Sequence, residues 1–85
     1  MSVRSERSIR AVRQLLKLEQ RNQRRIRKAI GKLTDFPATA NVKHLTHHDP
    51  AYRLRAGNYR VLFAFDSMRH LVIIESVRKR DEHTY

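Results

Sequence analysis

The chain contains no cysteine, only eight acidic side chains in 85 residues, and no long apolar run. Without cysteine no disulfide can brace the fold, thiol catalysis is excluded, and a metal would have to be held by histidines and carboxylates. The carboxylates are scattered over turns and the C-terminal segment, so a two-metal nuclease lacks its ligands. His44, His47 and His48 lie close in sequence, but neighbours in a turn point different ways and no carboxylate pattern supports them as a zinc site. Neither a metal nor a small-molecule cofactor is expected. No segment approaches the roughly 18 apolar residues of a membrane span, and the arginine-rich start lacks the apolar core of a secretory leader. A cytoplasmic setting, away from membranes, is the expectation. Internal repeats and low-complexity linkers are also missing, which leaves a single domain over residues 1–85 with one small core.

What the chain has in excess is positive charge. Nineteen Lys and Arg against eight Asp and Glu give a net charge of +11, and most of the basic side chains are arginine. Residues 1–33 carry eleven basic and two acidic groups (net +9), whereas residues 34–85 carry eight and six (net +2). So large an imbalance in so small a domain favours an anionic partner, either nucleic acid or a matching acidic protein.

The stretch YRLRAGNYRVLFAFD, Tyr52 to Asp66, reads as a β-hairpin. Tyr52-Arg53-Leu54-Arg55 alternates apolar with basic, and Ala56-Gly57-Asn58 is a short connector rich in residues that tolerate positive φ. Tyr59, Val61, Phe63 and Phe65 then fall on one face of the second strand, which puts Arg60 on the other with Leu62 and Ala64. Pairing these faces brings Arg53, Arg55 and Arg60 onto one surface. Like charges crowded on a sheet repel, and a phosphate-bearing ligand is the simplest resolution.

Upstream, Ser5 or Ser8 can cap a helix beginning at Ile9, with residues 1–8 leaning towards a poor edge strand. Ile9, Val12, Leu15, Leu16 and Leu18 supply its apolar face, opposite Arg10, Arg13 and Lys17. The Gln20-Arg21-Asn22 patch breaks the pattern. Ile26, Ala29, Ile30 and Leu33 then define a second helix that ends by Pro37, since proline disfavours helical geometry at Phe36. A short strand at Val42–Leu45, a turn at His47–Pro50 and a strand at His70–Val77 complete the reading. The run Leu71-Val72-Ile73-Ile74 is apolar on both faces and marks a central strand. The expected fold class is α+β: an N-terminal helical hairpin packed on a small, mostly antiparallel sheet of three to four strands.

The order of elements, together with Leu33-Thr34-Asp35-Phe36-Pro37, Val42-Lys43-His44-Leu45, Tyr52-Arg53-Leu54-Arg55, Gly57-Asn58-Tyr59-Arg60-Val61 and Arg78-Lys79-Arg80, resembles the RelE/ParE superfamily of bacterial toxins from toxin-antitoxin pairs. The resemblance spans nearly the whole chain. It implies one of two activities: RelE-like members cleave mRNA on the translating ribosome, whereas ParE-like members inhibit DNA gyrase through protein contacts. By similarity to the RelE branch, Arg53 and Arg55 match its basic pair, Arg60 its phosphate-binding arginine, Arg80 its late-strand arginine and Tyr85 its terminal aromatic. Arg78 offers an alternative register for Arg80. His83 resembles the histidine in the endings of related mRNA interferases. The resemblance therefore implies a metal-independent endoribonuclease whose partners are ribosome-bound mRNA, ribosomal RNA and a cognate acidic antitoxin. The alternatives are a gyrase inhibitor or an inactive RNA-binding relic.

The chemistry fits those residue types. Cleavage of RNA by its own 2′-hydroxyl needs that oxygen deprotonated, the phosphorane charge stabilised and a proton delivered to the 5′ leaving oxygen. Arginine suits the middle task, because its planar fork grips two phosphate oxygens and stays charged. With a pKa of roughly 12.5 or above it is a poor base. His83 is the better proton-transfer candidate, as base or acid, and Tyr85 can stack on a splayed base.

Overall fold

The computed structural model describes residues 3–80. His83 and Tyr85 lie outside that range. The elements in chain order are β1 (Arg4–Arg7), α1 (Ile9–Leu16), α2 (Gln20–Gly31), a 3-10 turn (Lys32–Asp35), β2 (Val42–His44), β3 (Tyr52–Ala56), β4 (Tyr59–Asp66) and β5 (Leu71–Lys79). The strands form one five-stranded sheet in the order β1-β5-β4-β3-β2.

The three-to-four-strand expectation is corrected to five strands, because β1 joins the sheet parallel to β5 while the other pairs are antiparallel. Strand β1 reads Arg-Ser-Glu-Arg and all four residues are exposed, so no apolar alternation announces it. Backbone pairing along β5, from Arg4 opposite Leu71 to Arg7 opposite Ile74, holds it in place. Beyond Arg7 the edge of β5 is covered by α1: Ser8 N–H donates to the Ile74 carbonyl at 2.8 Å and Val77 N–H donates to Gln14 Oε1 at 2.6 Å. An open strand edge is thereby satisfied by a helix.

Ser8 is the N-cap of α1, its Oγ accepting from Ala11 N–H at 3.0 Å. The buried face of this helix is narrower than its apolar pattern suggests. Ala11 and Leu15 are buried, but Ile9 is 71% exposed, Leu16 62% and Val12 38%. An eight-residue helix lying along a strand edge buries one i, i+4 pair, and the i, i+3, i+7 stripe Ile9-Val12-Leu16 is left facing outward. The break between the helices is also displaced from its expected position. It falls at Lys17–Glu19, and Gln20-Arg21-Asn22 is the first turn of α2, where Asn22 and Gln23 N–H groups bond the Glu19 carbonyl. A first turn needs cap bonds more than apolar spacing, so its polar composition looks like a break.

Helix α2 buries Ile26 and Ile30, and Leu33 follows from the 3-10 turn. Phe36 then turns extended (φ −56°, ψ 136°) before Pro37, as the proline requires. Its ring packs edge-on against Tyr52 and Phe63, with centroids 5.1 and 5.5 Å away. The core is therefore one-sided: Leu54, Ala56, Tyr59, Val61, Phe63, Val72, Ile74 and Val77 from the strands meet the helices and Phe36. On the opposite face Leu62, Leu71 and Ser76 are also buried, while Arg60 and Arg78 are half-buried and Arg55 is exposed.

Candidate active site

The charge on that face is set by register. Strand β3 turns into β4 through Gly57, whose φ of +59° only glycine adopts without strain, and Asn58. In this register Arg55 lies opposite Arg60, and on the other side Arg60 lies opposite Arg78 of β5. Three guanidinium-bearing residues thus form a single row across three adjacent strands, with backbones about 4.8 Å apart at each step. Arg53 lies in the next row, between Lys43 of β2 and Leu62 of β4. The four cations Lys43, Arg53, Arg55 and Arg60 share the face, and Arg78 extends it.

The arrival of Arg78 depends on a β-bulge. Leu62 pairs with Ser76 but Phe63 pairs with Ile74, so Glu75 is an extra residue in β5. Without it, plain alternation from Ile73 on the open face would bring Val77 and Lys79 there. The extra residue shifts the phase, and Ser76 and Arg78 face the arginines instead. Ser8 holds the bulge in place, its N–H bonding the Ile74 carbonyl and its Oγ donating to the Glu75 carbonyl at 2.7 Å. Sequence reasoning left Arg78 as an alternative register for Arg80, and the decisive signal, one residue of surplus length in β5, is silent in composition.

Arg80 follows the strand and is exposed, with its N–H bonded to the Asn58 carbonyl at 2.7 Å. That bond continues the ladder one step and brings Arg80 to the end of β5 nearest the Gly57-Asn58 turn. His83 and Tyr85 lie outside the described residues, so the row is assembled from Arg55, Arg60 and Arg78, with Arg53 beside it.

The row sets like charges on neighbouring strands. The ion pairs among the described residues are Glu19–Arg21 at 3.7 Å and Asp66–Arg69 at 2.8 Å, both away from it. Asp66 is committed to the β4–β5 turn: Oδ1 accepts from Met68 and Arg69 N–H, Oδ2 accepts from Arg69 Nε, and these bonds hold its carboxyl below the usual carboxylate range. Asp66 is therefore not the counter-ion of Arg60, whose Nη1 donates to the Tyr59 carbonyl at 3.2 Å. Arg78 Nε is buried and has no hydrogen-bond partner among the described residues. Beside it opens a cleft of about 390 Å³ lined by Arg10, His48, Asp49, Pro50, Leu62, Glu75, Ser76 and Arg78. His48 Nδ1 lies 2.7 Å from the Pro50 carbonyl, which acts as acceptor to a protonated Nδ1 and fixes the ring against the cleft wall. Among the described residues no group of three or more histidines and carboxylates is placed to hold a metal ion, and no helix is long and apolar enough to cross a membrane.

The fold as a whole is similar to those of solved toxin structures. The fold superposes on a chain of the toxin-antitoxin complex RelBE2 from Mycobacterium tuberculosis with a TM-score of 0.79 and 28% identity, covering 94% of this chain and 100% of that one. It also matches the archaeal RelE-RelB complex from Pyrococcus horikoshii OT3 (TM-score 0.81, 23% identity, 96% and 99% covered). The isolated E. coli RelE toxin is similar as well (TM-score 0.77, 19% identity, 95% and 87% covered). Neither a protein-family model nor a curated protein matches the chain. These solved structures support the resemblance to the RelE-like toxin superfamily.

Proposed function

We propose that this protein is the toxin of a toxin-antitoxin pair and acts as a metal-independent endoribonuclease on mRNA held in the ribosome. The observation that carries the reading is the row Arg55-Arg60-Arg78 across three neighbouring strands, with Arg53 in the next row on the same face. Such a row is costly in the free protein and favourable around a phosphorane, where negative charge builds up during attack by the 2′-hydroxyl. Arg55 and Arg60 hold the scissile phosphate, Arg53 and Arg80 flank it, and His83 and Tyr85 supply proton transfer and base stacking. The ribosome supplies the in-line geometry that a flat, open face cannot impose by itself, and the basic outer surfaces of α1 and α2 meet ribosomal RNA. Toxicity in the cytoplasm then follows from lost messages.

Induced expression in growing cells tests this reading. The expected result is an arrest of protein synthesis with codon-spaced cuts in translated messages, mapped by primer extension. DNA damage and filamentation with intact messages would replace it with gyrase inhibition, and no effect at all would indicate an inactive relic.

The antitoxin partner follows from the outward face of α1. Ile9, Val12 and Leu16 form an apolar stripe bordered by Arg10, Arg13 and Lys17, which fits an acidic amphipathic helix. Leu16→Asp is expected to weaken binding of the protein encoded beside this one by roughly tenfold or more. Titration calorimetry with that partner measures it, and unchanged affinity would move the interface elsewhere.

A further inference from the structure

At the end of the sheet nearest the β3–β4 turn, basic charge is gathered on the helix side as well as on the arginine face. The pair next to Arg60–Arg78 along β4 and β5 is Tyr59–Lys79, and alternation turns it to the opposite face, towards α2. A cleft of about 430 Å³ opens there, with Arg21, Asn22 and Arg25 of α2 on one side and Asn58, Tyr59 and Lys79 on the other. Its single acidic group, Glu19, pairs with Arg21 at 3.7 Å. Arg25 and Lys79 are in no ion pair among the described residues. The fold builds Arg25 into this place. Its side chain lies against Gly57, so closely that a Cβ there would come 2.7 Å from Nη1 and 3.0 Å from Cδ. The glycine that the turn needs for its positive φ therefore also makes room for a guanidinium beside the cleft. The Tyr59 hydroxyl accepts from Asn22 Nδ2 at 3.4 Å, which leaves its own proton to donate.

Resting on the endoribonuclease reading above, we propose that this cleft is the docking site for a backbone phosphate of ribosomal RNA, on a strand separate from the message. The lining decides the class of ligand. Cations, amides and a phenol suit phosphate and ribose, whereas an amphipathic helix needs the kind of apolar stripe that α1 presents at Ile9, Val12 and Leu16. The position decides the source. Arg78 and Lys79 are consecutive and face opposite sides of the sheet, so a message lying along the arginine face reaches the cleft only by turning round the end of the sheet. A second strand approaching from the helix side meets it directly. With an anion on each side, the end of the sheet is held between two strands of RNA, and this fixes how the arginine face meets the message.

The test measures binding of the full chain to ribosomes that carry no message, over a range of salt concentrations. The double variant Arg25→Gln/Lys79→Gln is expected to bind roughly tenfold more weakly than wild type, the scale of a lost charge-assisted contact. Its plot of log affinity against log salt should be shallower by about one to two units. On ribosomes programmed with a message, the same variant should show KM raised by a similar factor and kcat within about twofold of wild type. Arg4→Gln/Arg7→Gln removes two charges from β1, which pairs with the other end of β5, and should change affinity by less than about twofold at physiological salt. All four side chains are exposed, so both variants should melt as wild type does. The proposal is overturned if the Arg25/Lys79 variant binds message-free ribosomes like wild type, if the β1 variant loses as much, or if the loss shows only when a message is present. Unchanged ribosome binding with lost affinity for the protein encoded beside this one would also overturn it and give the cleft to that partner. Wild-type protein that binds ribosomes through the cleft but cuts no message would sink the nuclease reading and leave the docking site standing.

Discussion

Arg60→Ala is expected to reduce mRNA cleavage by about two to three orders of magnitude, the scale measured when one transition-state charge stabiliser is removed, while leaving the fold intact or slightly firmer. The two halves of that expectation come from one geometry. Arg60 is the middle member of the row, opposite Arg55 on one side and Arg78 on the other, so it alone has a cation across both its strand boundaries. Removing it takes away the central grip on the reacting phosphate and simultaneously relieves repulsion between neighbours. Among the described residues its guanidinium bonds only the adjacent Tyr59 carbonyl, at 3.2 Å. Surface substitutions of this kind move stability by about half a kcal/mol or less. Primer extension on a translated message and a thermal melt of the same preparation check both halves. Undiminished cuts would remove Arg60 from the site, and a large fall in melting temperature would make its role structural.

The second large effect concerns the other side of the same strand. Phe63→Ala should destabilise the protein by about 3–5 kcal/mol, which is a large part of the roughly 5–10 kcal/mol expected of a domain this size. Phe63 is 0% exposed and central in the core, stacked on Tyr52 at 5.4 Å and edge-on to Phe36 at 5.5 Å. The buried residues on the other face, Leu62 and Leu71, lie outside the cluster that Phe63 anchors. Urea unfolding monitored by circular dichroism measures the change, with Phe63→Leu as the milder control at about 1.5 kcal/mol or less. A loss below about 1 kcal/mol in Phe63→Ala would show that the aromatic cluster is not the anchor of the fold.

These two residues also show what a sequence can and cannot reveal here. Phe63 and Arg60 belong to a strand whose period-2 pattern is strong, so both the core face and the basic face could be assigned from the alternation Tyr59, Val61, Phe63, Phe65. Helix α2 was legible for the same reason, through Ile26, Ala29, Ile30 and Leu33. The signal failed where side chains do not decide the structure. Residues 1–8 lean towards an edge strand in the sequence, and β1 is one, but with no buried residue of its own Arg-Ser-Glu-Arg does not reveal that it pairs parallel to β5. Helix α1 carries more apolar residues than the sheet edge can cover, and nothing in the spacing says that Ala11 and Leu15 go in while Ile9, Val12 and Leu16 stay out. That Arg78 shares a face with Arg60 could not be found by counting along β5, because the count is altered by a bulge whose Glu75 carbonyl is bonded by Ser8, 67 residues away.

That distant serine has a wider meaning for how the cationic face could change. A hydroxyl at the start of the first helix bonds the residue whose insertion decides which of the last basic side chains share a face with Arg60, so the two ends of the fold meet at this point. Inserting or deleting a single residue between Val72 and Arg78 would exchange one set of outward groups for the other without touching the hairpin. The charge presented at this end of the sheet is thus written in chain length, and it could change while every arginine on the hairpin stayed where it is.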